Sequence, residues 1–449
     1  MISRSPLCVV ASVGLLLLLA LQQVSPATAA TSPCNGHSLV AFLNGGLASA
    51  QGTIVAVACT TSALRQLTPH KPVAVRLMAS ADLKREVAAV TEAKLAAMAP
   101  GANAITYRLL GALAPNQDLS GTDGSQAAAD SGAVYDARNQ TLYILQSSVP
   151  YTPWDRAVIA YEYTHALQDQ YYGLASLLSI GSNALGYDTD ALLAHSAVVE
   201  GDAYTTMLSF VATFSRQDQV TFNQELQQPA PAATGFAEDR IGFPVEAGTN
   251  FVKYVMGAAA KGKQGAAATS AGLAAVDQAL ENPPSSTQDV LQPALYVQHA
   301  PKSDPVPVPE VSLGTQWVAV SSDVLGAFAI GDAFSQHAAS SATMQAASRA
   351  ATAWLGDRWT VYQSGGETLW LWHGRFATPA GAHAFEQALL SSTASRFHTS
   401  LRSAAPADWH TTGFAVSVRD HGSDVVVAIG SDAALLPQCV KALQLLGFS

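Results

Sequence analysis

Apolar and polar residues recur along this chain with two periods, and the two are unevenly distributed. Up to about residue 300 the helical period dominates. Ser80 can cap a helix to about Met98, with apolar residues at Leu83, Val87, Val90 and Leu95. The same reasoning predicts helices over 105–113, 153–172, from Asp188 or Asp190 to about 215, and over 217–226, 247–260 and 272–281. Period-two runs there are short: a strand over 72–78, and two strands within 132–145 around a turn at Asp136 to Asn139. Asn139-Gln-Thr141 matches a glycosylation acceptor, but the turn asparagine is the preferred reading. The stretch 34–67 is rich in Ala and Gly, with one apolar run, Thr53 to Ala58, and no assignable chemistry.

Past residue 300 the pattern changes. Four prolines within 301–309 predict an extended linker, and the main domain boundary is placed there. Beyond it, helices are expected over 321–336, 341–354, 379–390 and 432–446. Strands are expected over 359–363 and 368–376, paired around Gly365-Gly366, and over 413–418 and 424–430. The expected class is α+β: a mainly helical domain with a small edge sheet over 30–300, a linker over 301–310, and a C-terminal α+β domain with antiparallel hairpins over 311–449.

Residues 1–29 have the layout of an export signal. Arg4 precedes an apolar run from Leu7 to Leu21, and Ala27-Thr28-Ala29 fits a cleavage site. The expected location is secreted or extracytoplasmic, an uncleaved N-terminal anchor being the alternative, with no further integral membrane segment. Outside the cytoplasm Cys34 and Cys59 could form a disulfide; the alternative is that Cys34, Cys59 and Cys439 are all small buried residues. A net charge of −10, with only 12% charged residues, argues against nucleic acid and anionic membrane surfaces as partners.

The residues with the most chemistry lie in Ala157-Val-Ile-Ala-Tyr-Glu-Tyr-Thr-His-Ala-Leu-Gln-Asp-Gln-Tyr-Tyr172. On a helix, Tyr161 and His165 share a face, with Glu162 beside them. Zinc metallopeptidases use His-Glu-x-x-His in this layout: two imidazoles bind the metal and the Glu is the general base. Here Tyr161 stands in the first His position. Asp169, one turn past His165, is a candidate hydrogen-bond acceptor for its ring, and Glu200 in Val199-Glu-Gly-Asp-Ala203 supplies a carboxylate on a later helix.

With these residues the chain resembles a family of exported bacterial gluzincin-like proteins, whose hallmark is His-Glu-Leu-Thr-His-Ala-Leu-Gln-Asp-Gln. The resemblance extends through Val134-Tyr-Asp136, Thr141-Leu-Tyr-Ile144, Phe243-Pro244, Gly248, Phe251-Val252 and Asn282-Pro-Pro-Ser-Ser-Thr287, covering about residues 70–300. The C-terminal part is matched only loosely, through Gly356-Asp-Arg358 and Ala384-Phe385. The resemblance implies a zincin-like fold with His165 and Glu200 as zinc ligands and Glu162 as base. It also marks departures: Tyr161 for the first His, and Val245 and Gln292 where relatives carry a Tyr and a His. A phenol with a pKa of about 10 is a poor zinc ligand unless the metal offsets its deprotonation.

Three readings follow. In the first, the chain is an exported, catalytically inactive or impaired metallopeptidase homologue that binds a peptide or extracellular protein. In the second, it is an active zinc peptidase with a Tyr161/His165/Glu200 site and Glu162 as base. In the third, it is a cell-envelope binding or structural protein working through its C-terminal domain. Trp354, Trp359, Trp370 and Trp372 would line a groove in a binding domain or pack against helices in an ordinary core.

Overall fold

Two sheets, each covered by helices, organise the chain. The computed structural model describes residues 38–448, apart from 99, 118, 120–131, 148–149, 180–185, 227–234, 301–305, 308, 337, 339, 397–402, 406–407 and 412. The expected export signal, Cys34 and much of the Pro-rich linker therefore lie outside the described residues.

The first part contains β1 (Val40–Phe42), α1 (Ala48–Arg65), β2 (Val73–Met78), α2 (Ser80–Met98), α3 (Asn103–Leu110), β3 (Ala133–Asp136) and β4 (Thr141–Leu145). There follow α4 (Pro153–Tyr172), α5 (Leu174–Leu177), α6 (Thr189–Val211), α7 (Arg216–Leu226), α8 (Phe236–Ala260), α9 (Gly265–Glu281), α10 (Thr287–Leu291) and α11 (Pro293–Val297). The strands form one sheet in the order β1-β2-β4-β3. Its β1–β2 and β2–β4 pairs are parallel, and β3 pairs antiparallel with β4 at the edge.

Helix α4 is the centre of this part. Thr152 Oγ1 accepts from the Asp155 N–H while Asp155 Oδ2 accepts from the Thr152 N–H, a reciprocal capping box, and Pro153 occupies the first turn where its missing N–H costs nothing. Every residue from Ala157 to Asp169 is buried, because α1, α6, α7 and the β3–β4 hairpin surround the helix. A helix enclosed on all sides shows little amphipathic pattern.

Helices α6 and α8 cross at closest range through two glycines. A Cβ on Gly201 would stand 2.3 Å from the Gly248 carbonyl, and one on Gly248 would stand 1.9 Å from the Ala197 oxygen. The backbones touch, and this contact sets the position of Glu200, the neighbour of Gly201.

The second part contains β5 (Val318–Asp323), α12 (Gly326–Ser335), α13 (Ser341–Ala353), β6 (Trp354–Ser364), β7 (Glu367–Phe376) and α14 (Pro379–Arg396). It continues with β8 (Ser403–Ala405), β9 (Asp408–Thr411), β10 (Phe414–His421), β11 (Asp424–Gly430) and α15 (Leu436–Leu445). The strands form a second, antiparallel sheet in the order β5-β6-β7-β11-β10-β9-β8. Alternation along β7 feeds two cores: Trp370 and Trp372 pack with α12, α13 and α14, whereas Leu369 and Leu371 pack with Cys439, Ala442 and Leu443 of α15. The four tryptophans are core residues.

The α+β class is as expected; several boundaries differ. The helix expected over 321–336 is a strand and then a helix. Val318–Asp323 pairs with β6, and Gly326, at φ +83°, turns the chain where the Asp190 carboxylate leaves no room for a Cβ. The helix expected from 247 begins at Phe236 and carries Pro244 inside it. Within the unassigned stretch before Leu67, Val40–Phe42 is strand β1 and Ala48–Arg65 is helix α1. The two parts share a core as well: Tyr107, Leu110, Phe236 and Ala237 pack in the cluster that holds Trp359 and Phe385. Asp323 accepts from the Thr189 N–H at 2.8 Å and from Asn103 Nδ2 at 2.9 Å, joining strand β5 to helices α3 and α6.

Candidate functional site

Tyr161 and His165 lie one turn apart on α4, their rings edge to face at 4.8 Å between centroids. Glu200 of α6 meets both. Its Oε2 accepts from the Tyr161 hydroxyl and stands 3.3 Å from His165 Nε2. That approach lies off the hydrogen-bond direction, so the buried Nε2 has no hydrogen-bond partner. Lys94 of α2 reaches the other oxygen, with Nζ 3.3 Å from Oε1; its side chain is 43% exposed, so it enters from the solvent side.

A further chain of contacts defines the imidazole. Gln168 Nε2 donates to the Val199 carbonyl at 3.0 Å and to Asp202 Oδ2 at 2.8 Å, so the opposite end of the amide is an acceptor. His165 Nδ1, 2.8 Å from Gln168 Oε1, must therefore carry the proton, which turns Nε2 toward Glu200. Asp202 is fixed in turn by Arg65 Nε at 2.7 Å, and Arg65 Nη2 bonds Asp277 at 2.6 Å. Tyr172 donates its hydroxyl to the same Asp277 oxygen.

The electrostatics follow from burial and these partners. Burial alone would raise the Glu200 carboxyl, but Lys94, His165 and the Tyr161 hydroxyl outweigh it and hold the group well below the usual carboxylate range. Burial lowers His165, and the facing Glu200 more than offsets this, for a net rise. Burial with the nearby Glu200 and Glu162 carboxylates pushes the Tyr161 phenol well above its ordinary value, so it stays a proton donor. Burial also raises Glu162, against the pull of His165 and Lys94.

The candidate residues from the sequence thus separate. Tyr161, His165 and Glu200 come together. Glu162 is turned to the edge strand, its Oε2 accepting from the Tyr135 N–H at 2.8 Å. Asp169 is not the partner of the imidazole: it accepts from the Tyr135 hydroxyl at 2.7 Å and the Leu174 N–H at 2.8 Å, and Gln168 takes the place expected for it. Val245 is buried among apolar neighbours, and the Gln292 amide donates to the Thr352 carbonyl. His195 Nδ1 meets the Leu177 carbonyl, and Asn139 donates to Asp136 and Tyr143 within its turn. Cys59 is disulfide-bonded, and Cys439 is free and buried.

A cleft of about 180 Å³ opens beside this cluster. Apolar side chains of α2, α6 and residues 174–178 make most of its walls, among them Val90, Met98, Leu178 and Leu192; His165, Glu200, Lys94, Asp136 and Arg138 supply its polar lining. Glu162 and Tyr161 do not line it. Besides Gln168 and Asp202, sequence reasoning missed Lys94 and Arg65. Lys94 looked like any solvent-facing helix lysine. Arg65 carried a signal, being the only Asp, Glu, Lys or Arg between residues 38 and 70.

His165 Nε2 and Glu200 Oε2, 3.3 Å apart, have the spacing of neighbouring donors on a tetrahedral zinc, about 3.3 Å for bonds of about 2.0–2.1 Å. The rest of the donor set does not match. The third position holds a protonated phenol bonded to the carboxylate oxygen itself, and an ammonium holds the other oxygen. Among the described residues no group of three His, Cys, Asp or Glu side chains could hold a metal ion. No helix among them is long and apolar enough to cross a membrane.

A family model described as a domain of unknown function (DUF8575) matches residues 315–439, from the start of the second sheet into α15. No curated protein and no solved structure matches the chain.

Proposed function

We propose that this chain is an exported, non-catalytic relative of the gluzincin metallopeptidases that acts by binding a peptide or an extracellular protein segment. One observation carries the reading: the carboxylate in the third-ligand position, Glu200, already has the Tyr161 hydroxyl and the Lys94 ammonium as partners, one on each oxygen. Such a carboxylate is charge-compensated without a metal. The residue in the general-base position, Glu162, caps a backbone N–H of the edge strand and does not face the open cleft. Zinc as the resident cofactor does not fit the donors present.

The cleft indicates what is bound. An apolar cavity of roughly 150 Å³ takes a benzene-sized group. A cleft of about 180 Å³ with aliphatic walls therefore suits one Leu, Met or Phe side chain of a partner segment.

Purified mature protein tests both halves of the proposal. It should carry far less than one zinc per chain and cleave no peptide. Near-stoichiometric zinc, with chelator-sensitive cleavage that Glu162→Gln abolishes, would sink the non-catalytic reading. For the cleft, peptide arrays that vary one central residue should favour Leu, Met or Phe, and Ala93→Trp should remove that preference. Unchanged selection by Ala93→Trp would eliminate the cleft as the binding site.

A further inference from the structure

Tyr161 is the conspicuous change in the sequence, but the structure assigns a second residue to the loss of the metal. We propose that Lys94 supplies the positive charge that a metal ion would bring to Glu200, and that it excludes divalent cations independently of Tyr161. The inference rests on the reading of this cluster as a former metal site.

Three observations support it. The ligand spacing survives, with His165 Nε2 and Glu200 Oε2 3.3 Å apart and the imidazole held in the orientation that aims Nε2 inward by Gln168, Asp202 and Arg65. His165 Nε2 is buried, lacks a hydrogen-bond partner and borders the cleft. Lys94 Nζ approaches the same carboxylate from the cleft side, 3.3 Å from Oε1. A divalent ion bound to Nε2 and Oε2 would lie within a few ångströms of that ammonium. Like charges so close repel by at least ~1 kcal/mol even with strong solvent screening. Replacing the phenol alone would leave this repulsion in place. Lys94 also explains how a buried carboxylate persists without metal: it forms an ion pair at the mouth of the cleft, where partial exposure lowers the cost of desolvation.

The test uses the full mature chain with zinc and cobalt(II) as probes. Metal content after dialysis and the visible absorption of bound cobalt are read in three variants: Tyr161→His, Lys94→Met, and the double substitution. Met keeps the apolar stem along the cleft wall while removing the charge. Thermal melts confirm that each variant is folded. Tyr161→His is expected to bind weakly, and the double variant to bind at least about tenfold more tightly, one metal per chain, with a tetrahedral cobalt spectrum. Equal affinity of Tyr161→His and the double variant would overturn the role of Lys94 and leave the former-metal-site reading intact. A folded double variant with no metal affinity would instead overturn the former-metal-site reading itself.

Discussion

Two of the three glycines of helix α8, Gly248 and Gly257, allow its packing against α6 to be tested with an internal control. A methyl group added at Gly248 would sit 1.9 Å from the Ala197 oxygen and 2.7 Å from the Ala197 carbonyl carbon, both backbone atoms on α6. Real Cβ contacts stay beyond 3.0 Å, so in Gly248→Ala the helices must part locally by roughly 1 Å. Separation by that amount forfeits about a quarter to a half of each dispersion contact along the seam. Overpacking of this kind costs about 1–3 kcal/mol, and backbone, unlike a flexible side chain, cannot rotate away. The helix gains back about 1 kcal/mol from losing a glycine. The net expectation is a loss of about 1 kcal/mol, and at most about 2 kcal/mol. Gly257, further along the same helix, has nothing within 4 Å of its would-be Cβ, so Gly257→Ala should stabilise by about 0.5–1 kcal/mol. Urea unfolding followed by circular dichroism gives both shifts as changes in midpoint at constant slope. A Gly248→Ala midpoint at or above that of the wild type, or a Gly257→Ala loss of equal size, would refute the close-crossing argument.

Arg65→Met should destabilise by about 3–5 kcal/mol, since it leaves the buried Asp202 carboxylate and its neighbour Asp277 without their cation; a midpoint shift worth under about 1 kcal/mol would contradict this. Burial beside Asp239 raises the Asp332 carboxyl to about 7, above the 3.8 of an unfolded chain. Its protonated form therefore stabilises the fold: the contribution is complete below about pH 4 and is lost as pH rises through about 7. Melting temperatures of Asp332→Asn and wild type should diverge in favour of the variant between pH 5 and about 8, and parallel curves would dispose of the claim. Burial pushes the Cys439 thiol up to about 12, so it should resist an aromatic disulfide reagent in the native protein and react once urea unfolds the chain. Rapid labelling of the native thiol would contradict that placement.

Much of the architecture was legible because local signals were strong. Thr152, Pro153 and Asp155 announce the start of α4, and the alternation around Gly365-Gly366 announces the β6–β7 hairpin. Where local and tertiary preference diverged, the pattern misled. Ala48–Arg65 is so rich in Ala and small residues that its periodicity is faint, and it is helical because it covers α4. Val318–Asp323 became a strand because β6 offered it an edge. Pro244 did not end its helix, although proline removes a hydrogen bond and crowds the preceding turn.

The candidate site divides in the same way. The sequence by itself determined which groups were available: a phenol where an imidazole is expected, one His a turn later, and a Glu beside a Gly on another helix. Those follow from residue type and helical spacing, which are local properties. Only the tertiary structure decided what the groups do, because that depends on partners far along the chain. Gln168 rather than Asp169 holds the imidazole, Glu162 faces a strand, and Lys94, more than a hundred residues before Glu200, supplies its counter-charge. Burial enforces these pairings, since a polar group taken out of water must find its partner among whatever the packed helices bring within reach.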